Sequence, residues 1–359
     1  MLTKKDYISQ LNKELCDGED EFTRDEVYKV FEKFVENKES LQRAIDFGVF
    51  QYDYVKYKTL FKGTLFEEGM LLFISLCNRA HEKEPEKFKK IMQEYYPIIA
   101  KGHASQTQMC WLDGISIENE RNDLFVKKSF RIMGDLIENS CKPFVMFLNE
   151  MRCLVTDKVM KQQKLGTVVD MLINYHETFR GLYKDLLLGV SLSQWRNIAD
   201  HGSFESKDEG AYITYGPNGE KEISVSRQEL VELLNSIDTL LYMHKTAYTL
   251  VSVEYVAVLS EVASCTKDRE ETWNDNVIAQ MVETSCAYCF ELCDIDKNDE
   301  RWKVVVSSKK KPDKEQLTQY LSVIAAIMKE YEITIKRAGK VEYKALCINR
   351  KLSIYQFRV

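Results

Sequence analysis

The sequence predicts a mainly α-helical fold with a small α+β unit at its C-terminal end, and three observations carry that expectation. Apolar residues recur at three-and-four spacing through the first three quarters of the chain, the signature of amphipathic helices. Only five prolines and fifteen glycines interrupt the 359 residues. The last quarter changes to short β-rich runs around one helix. Hydrophobic residues at 45% and charged residues at 30% fit an ordinary globular protein and exclude a disordered chain. At about 150 residues per domain this length predicts two or three domains.

Taken in order, Thr23-Arg24-Asp25-Glu26 has the form of a capping box, in which hydroxyl and carboxylate satisfy the free amides of a first turn. Val27, Phe31 and Phe34 follow on one face. Helices are predicted over about 65–80 and 85–100, then a softer polar stretch over 102–120 with His103, Ser105, Gln106, Thr107 and Gly114. A domain edge is placed there. The helical pattern resumes at about residue 122, and Pro143 marks a break and restart. Val168, Leu172, Tyr175, Phe179, Leu182 and Leu186 then predict one long helix with a buried seam. A second capping box, Ser226-Arg227-Gln228-Glu229, opens a helix with Leu230, Leu233, Leu234, Ile237, Leu240 and Leu241 on one face, expected to pack against the first.

Between these two helices, residues 211–215 and 222–225 alternate around Gly216-Pro217-Asn218-Gly219 and predict a hairpin. Beyond it, Val304-Val305-Val306, a helix over about 314–331, Glu332-Ile333-Thr334-Ile335 and two further β-rich runs give the order βαβββ. The expected regions are therefore 1–112, an N-terminal helical region; 113–264, a central helical bundle with an inserted hairpin; and 265–359, a helix followed by the α+β unit. The start lacks an apolar leader, and no apolar run approaches the roughly 18 residues of a membrane span. Ten cysteines in such a chain are expected as reduced core residues, which places the protein in the cytoplasm. The net charge of −6 argues against a general basic nucleic-acid coat and leaves room for one local basic cleft.

The chemistry concentrates in Trp195-Arg196-Asn197-Ile198-Ala199-Asp200-His201-Gly202. Leu188, Leu192, Trp195 and Ala199 form an apolar stripe, leaving Ser193, Arg196, Asn197, Asp200 and His201 on the polar side. Asn197 and His201 are an i,i+4 pair, a long arginine reaches the same place, and Gly202 would end the helix. Histidine moves protons near neutral pH, and the planar arginine fork holds a developing phosphorane charge. Together they can cleave RNA through its own 2′-hydroxyl.

This Arg-Asn-X3-His stretch, with a long helix before it and a hairpin and capped helix behind it, resembles the Arg-X(4 to 6)-His signature of the HEPN superfamily. The resemblance covers at most about 122–264. It implies a HEPN-like helical bundle at the centre of the fold and a metal-independent endoribonuclease without a cofactor. Its site would be a composite cleft in a homodimer, with Arg196 and His201 of each chain catalytic. It further implies that Asn197 orients the cleft or contacts RNA phosphate, and that Asp200 fixes the imidazole or bonds to a neighbour. The products would be a 2′,3′-cyclic phosphate and a 5′-hydroxyl. Such domains serve as toxins and antiviral abortive-infection effectors, restrained by flanking regions or by a regulatory, antitoxin-like partner. A different class of reading is a catalytically silent helical dimerisation or partner-binding protein. The enzyme needs Arg196 and His201 exposed, whereas a scaffold tolerates their burial.

Other motifs carry less. Cys286, Cys289 and Cys293 have a spacing that can hold zinc, but 277–293 reads as an apolar-faced helix with no fourth ligand nearby. Asp294, Asp296 and Asn298 mimic the opening of a calcium loop, yet Asp299 stands at the glycine position and Val305 at that of the bidentate glutamate. His244 continues the apolar face of the helix after Ser226 and is expected in the core. Lys309-Lys310-Lys311 reads as a solvated loop. Phosphate-binding and dinucleotide glycine loops and the serine-hydrolase elbow are absent from the sequence.

Overall fold

A computed structural model describes residues 8, 9, 12, 23–112, 121–158, 163–207, 209–263, 278, 281, 282, 284–286, 288–297, 301–308, 314–327, 331–337, 340–348 and 351–356. The fold is mainly α-helical with a small C-terminal α+β unit. The chain gathers into two compact units, one of Met1–Lys56 with Asp268–Val359, the other of Tyr57–Lys267. This division differs from the three consecutive regions expected. Helices before residue 112 pack on helices after residue 121, while the first segment joins the last across the chain.

In the first unit, α1 (Arg24–Phe31), α2 (Lys38–Asp46) and α3 (Gln51–Lys56) come from the N-terminal segment. The capping box is formed: the Glu26 amide donates to Thr23 Oγ1 at 3.3 Å, and the Thr23 amide donates to the Glu26 carboxylate at 2.7 Å. Val27, Phe31 and Phe34 are buried. The Arg24 guanidinium lies 4.7 Å from the centre of the Tyr288 ring, and the Tyr288 hydroxyl donates to the Asp46 carbonyl at 2.8 Å. These contacts tie segments more than 240 residues apart into one core.

The second unit holds α4 (Leu65–Lys83), α5 (Pro85–Leu112), α6 (Asn122–Asp135), α7 (Lys142–Val155), α8 (Leu165–Ile173), α9 (Glu177–Tyr183), α10 (Leu192–His201), α11 (Arg227–Glu254) and α12 (Val256–Ala263). The helix α5 runs on through 102–112, where a loop was expected; residues 113–120, with Gly114, lie outside the described residues. The Ser226 capping box also forms, and all six leucine and isoleucine residues of its predicted face are buried. Its helix, α11, packs chiefly along α4, which in turn packs on α7. Where the three meet, Phe73 stacks on Phe147 with centroids 5.8 Å apart. Gly69 admits close contact between α4 and α9, because a Cβ there would lie 2.4 Å from Leu182 Cδ1.

The single helix predicted across 168–186 is three pieces. After α8 the Asn174 side chain donates to the Asp170 carbonyl at 2.8 Å. His176 then caps α9, its Nδ1 accepting the Thr178 amide at 3.2 Å. A short 3-10 turn, Asp185–Leu187, leads to Leu188, which is left-handed (φ 56) and exposed rather than part of the stripe on α10. Val168, Leu172, Phe179 and Leu182 are nevertheless buried, whereas Tyr175 is half-buried and Leu186, on the 3-10 turn, is exposed, so the apolar spacing marked the inward face only within α8 and α9.

The predicted hairpin is β2 (Gly210–Tyr215) with β3 (Lys221–Ser226), preceded by β1 (Phe204–Lys207), which the sequence read as loop. Order β1-β2-β3 is antiparallel throughout. Returning to the first unit, β4 (Glu291–Lys297), β5 (Trp302–Ser308), α13 (Lys314–Ile327), β6 (Tyr331–Arg337), β7 (Lys340–Ile348) and β8 (Lys351–Gln356) form a five-stranded sheet in sequential order. The strands β5 and β6 are parallel across α13, and the other pairs are antiparallel. Their register sets Val304 opposite Ile333 and Val306 opposite Ile335, all buried. The expected βαβββ is present with one strand ahead of it. Part of the helix predicted over 277–293 is that strand, β4, which buries Leu292 and Ile295.

Among the described residues no helix is long and apolar enough to cross a membrane.

Candidate functional site

The site begins with an anchor. Trp195 is fully buried, and its indole N–H donates to the Leu187 carbonyl at 2.9 Å, fixing α10 to the turn before it. On the other side Phe130 of α6 lies 6.5 Å from Trp195 and stacks on Phe204 at 4.0 Å. Burying an aromatic ring of this size contributes about 2 kcal/mol or more, so the anchor fixes which face of α10 turns outward. At the far end Gly202 takes a left-handed φ of 63 and the Ser203 amide donates back to the Ile198 carbonyl at 3.1 Å, which stops the helix directly after His201.

This frame leaves Asp200 and His201 exposed and Arg196 and Asn197 partly exposed. Ser193, expected beside them, is buried against Gly166 instead, because it lies on the first turn where α8 approaches. Arg196 reaches two carboxylates: its Nε lies 3.2 Å from Glu138 Oε2 and its Nη1 lies 3.4 Å from Asp200 Oδ2. The Nε contact is an ion pair without a directed hydrogen bond. Glu138 is shared with Lys142 one helical turn on. Asp200 thus bonds to a neighbour, Arg196, rather than to the imidazole. Among the described residues no hydrogen bond or ion pair joins His201 to Arg196, Asn197 or Asp200.

Beside these groups a groove of about 360 Å³ runs between α6 and the end of α10. Lys127, Arg131, Asp135, Glu138, Asn139 and Asp200 give it mixed charge, while Phe130, Gly134, Ala199 and Phe204 give it an apolar floor. Gly134 allows the close approach: a Cβ there would stand 3.2 Å from Ala199 Cβ and 3.4 Å from Asp200 Oδ1. Asn122 ties α6 to the small sheet by donating to Ser206 Oγ at 2.8 Å and to the Gly210 carbonyl at 2.9 Å. Two cations of α6, Lys127 and Arg131, therefore share the groove with three carboxylates, those of Asp135, Glu138 and Asp200.

Sequence reading missed Glu138, Lys127 and Arg131. Glu138 sits in a π-helical turn, Leu136–Cys141, which joins α6 to α7 where Pro143 had marked only a break. A widened turn of this kind often accompanies a functional site. Its partner Arg196 is 58 positions away, beyond any local spacing rule.

The remaining candidates separate. His244 is fully buried, as expected, with its ring stacked between Phe144 at 5.7 Å and Tyr183 at 5.8 Å and its Nε2 2.8 Å from the Tyr183 hydroxyl. Burial lowers its pKa from 6.5 to about 3. Cys286, Cys289 and Cys293 do not share one helix: Cys289 lies in a left-handed turn (φ 59) and Cys293 on β4. Asp294 and Asp296 are also strand residues, while Asn298, Asp299 and Lys309–Lys311 lie outside the described residues. Among the described residues no group of three or more His, Cys, Asp or Glu is placed to hold a metal ion. No protein-family model, curated protein or solved structure matches the chain.

Proposed function

We propose that this chain is a metal-independent endoribonuclease of the HEPN type, acting as a homodimer with a composite site. The observation that carries the reading is the end of α10. There Arg196, Asn197 and His201 reach solvent from one helix beside a groove that bears Lys127 and Arg131 together with the carboxylates of Asp135, Glu138 and Asp200. In the reaction the 2′-hydroxyl oxygen attacks phosphorus, and the His201 imidazole of one copy takes its proton. The phosphorus–O5′ bond breaks, and His201 of the second copy returns a proton to the leaving oxygen. Arg196 holds the equatorial charge with its fork. Asn197 contacts phosphate or orients the cleft.

The ion pairs of Arg196 with Glu138 and Asp200 also hold the proposed site in a resting state. An RNA phosphate has to displace a carboxylate, so the site is self-restrained until RNA or a partner reorganises it. That restraint suits a cytoplasmic toxin or antiviral effector held by a regulatory partner. The same observation favours one other reading, a silent dimerisation module in which Arg196 is a structural ion pair. A mapped RNA substrate and its analogue lacking the 2′-hydroxyl at the cleaved position, both in EDTA, separate the two. The enzyme cuts the RNA to a 2′,3′-cyclic phosphate and leaves the analogue intact. Equal cutting of both, or no cutting of any RNA by the dimer, counts against the proposal.

A further inference from the structure

We propose that the groove between α7 and α8 is a second binding site, one that takes the phosphate group of a small molecule of about mononucleotide size. It goes beyond the ribonuclease reading and does not depend on it. Its centre is Arg152 of α7, only 2% exposed. The Arg152 Nε and Nη2 both donate to Asn149 Oδ1, at 3.0 and 2.8 Å, and Nη2 also lies 3.5 Å from the sulfurs of Cys153 and Met171. These partners are neutral, and among the described residues no carboxylate stands within ion-pair distance of the guanidinium. Burying a charge is costly unless it is paired, so an arginine held in this way calls for an anion from outside.

The surroundings accept one. Arg152 opens into a cavity of about 420 Å³, a size typical of small-molecule sites. Lys158, Thr167, Asn174 and Tyr175 line it with a second cation, hydroxyls and an amide, all groups that can donate to phosphate oxygens. Burial pushes the nearby Cys153 thiol up; Arg152 and Lys158 pull it down and Glu150 pushes it up, so both cations act at this point against one carboxylate. Asp170 lines the same cavity and is unsuited to an anion alone. A carboxylate is suited to sugar hydroxyls, however, and the Tyr175 ring can lie against a base. This composition favours a ribonucleotide over free phosphate.

The test is calorimetric titration of the full chain with the four ribonucleoside 5′-monophosphates, with inorganic phosphate and with the four nucleosides. A monophosphate is expected to bind, its nucleoside at least about tenfold more weakly, as loss of a charge-assisted pair predicts. Lys158 is exposed, so Lys158→Glu leaves folding intact and is expected to weaken binding about tenfold or more; Arg152→Gln removes the central fork. Inorganic phosphate binding as tightly as the nucleotides, and lost in Lys158→Glu, supports the anion site with free phosphate as its occupant. The proposal is overturned if none of these probes binds at millimolar concentration, or if binding is unchanged in Lys158→Glu.

Discussion

Acid exposes the way this core is built around His244. The ring is fully buried between Phe144 and Tyr183, and burial lowers its pKa from 6.5 to about 3. Between those values the unfolded chain binds a proton that the folded chain refuses. Stability is therefore complete above the unfolded value and falls as the pH drops through it toward the folded one. At pH 5 the loss is about 2 kcal/mol, from 1.36 kcal/mol per pH unit with an unfolded value near 6.5. Because the folded value lies well below pH 5, the loss at that pH is set almost entirely by the unfolded value. Urea denaturation at pH 7.5 and 5.0, for the wild type and for His244→Gln, isolates the effect, because the glutamine keeps a hydrogen-bonding side chain and does not titrate. The wild type should lose about 2 kcal/mol more than the variant over this interval. A resonance assignment of the ring gives an independent reading. If the His244 ring titrates near 6.5 in the folded protein, or if the two proteins lose stability in parallel, the burial argument is refuted.

Three further outcomes follow from the site. Glu138→Gln removes one of the two carboxylates on Arg196 and should tighten RNA binding up to about fivefold at low salt, the limit for a partly exposed pair; fluorescence anisotropy with an RNA oligonucleotide reads this, and unchanged or weaker binding contradicts a restraining role. Trp195→Ala empties the anchor of α10 and should cost about 3–5 kcal/mol in urea denaturation, whereas a loss below about 1 kcal/mol would show that the indole does not set the helix position. Gly202→Ala forces a left-handed alanine after His201 and should cost about 1–2 kcal/mol, with a stability equal to the wild type counting against the helix stop.

Local rules made much of the fold legible. The capping boxes at Thr23 and Ser226, the turn at Gly216-Pro217-Asn218-Gly219 and the inward faces of the helices all came from residues within one or two turns of one another. Where the prediction failed, a polar side chain overrode the apolar period. His176 capped a new helix inside a continuous-looking seam, and β4 hid in a run read as helical. The division into units was illegible because Tyr288 meets Arg24 and Asp46 across the length of the chain. In the same way, the sequence marked Arg196, Asn197, Asp200 and His201 and their helix end, but not that Glu138 would hold the arginine, since that pairing needs α6 and α10 to be packed first.

Arg196 and His201 are proposed to carry RNA cleavage. The most direct measurement is the single-turnover rate on end-labelled transfer and messenger RNA in EDTA for the wild type, Arg196→Ala and His201→Ala, each shown folded by circular dichroism. Cleavage by the wild type and at least about a hundredfold loss in both variants are expected, as removal of a general acid–base or charge-stabilising group requires. Equal rates for all three proteins would contradict the proposal.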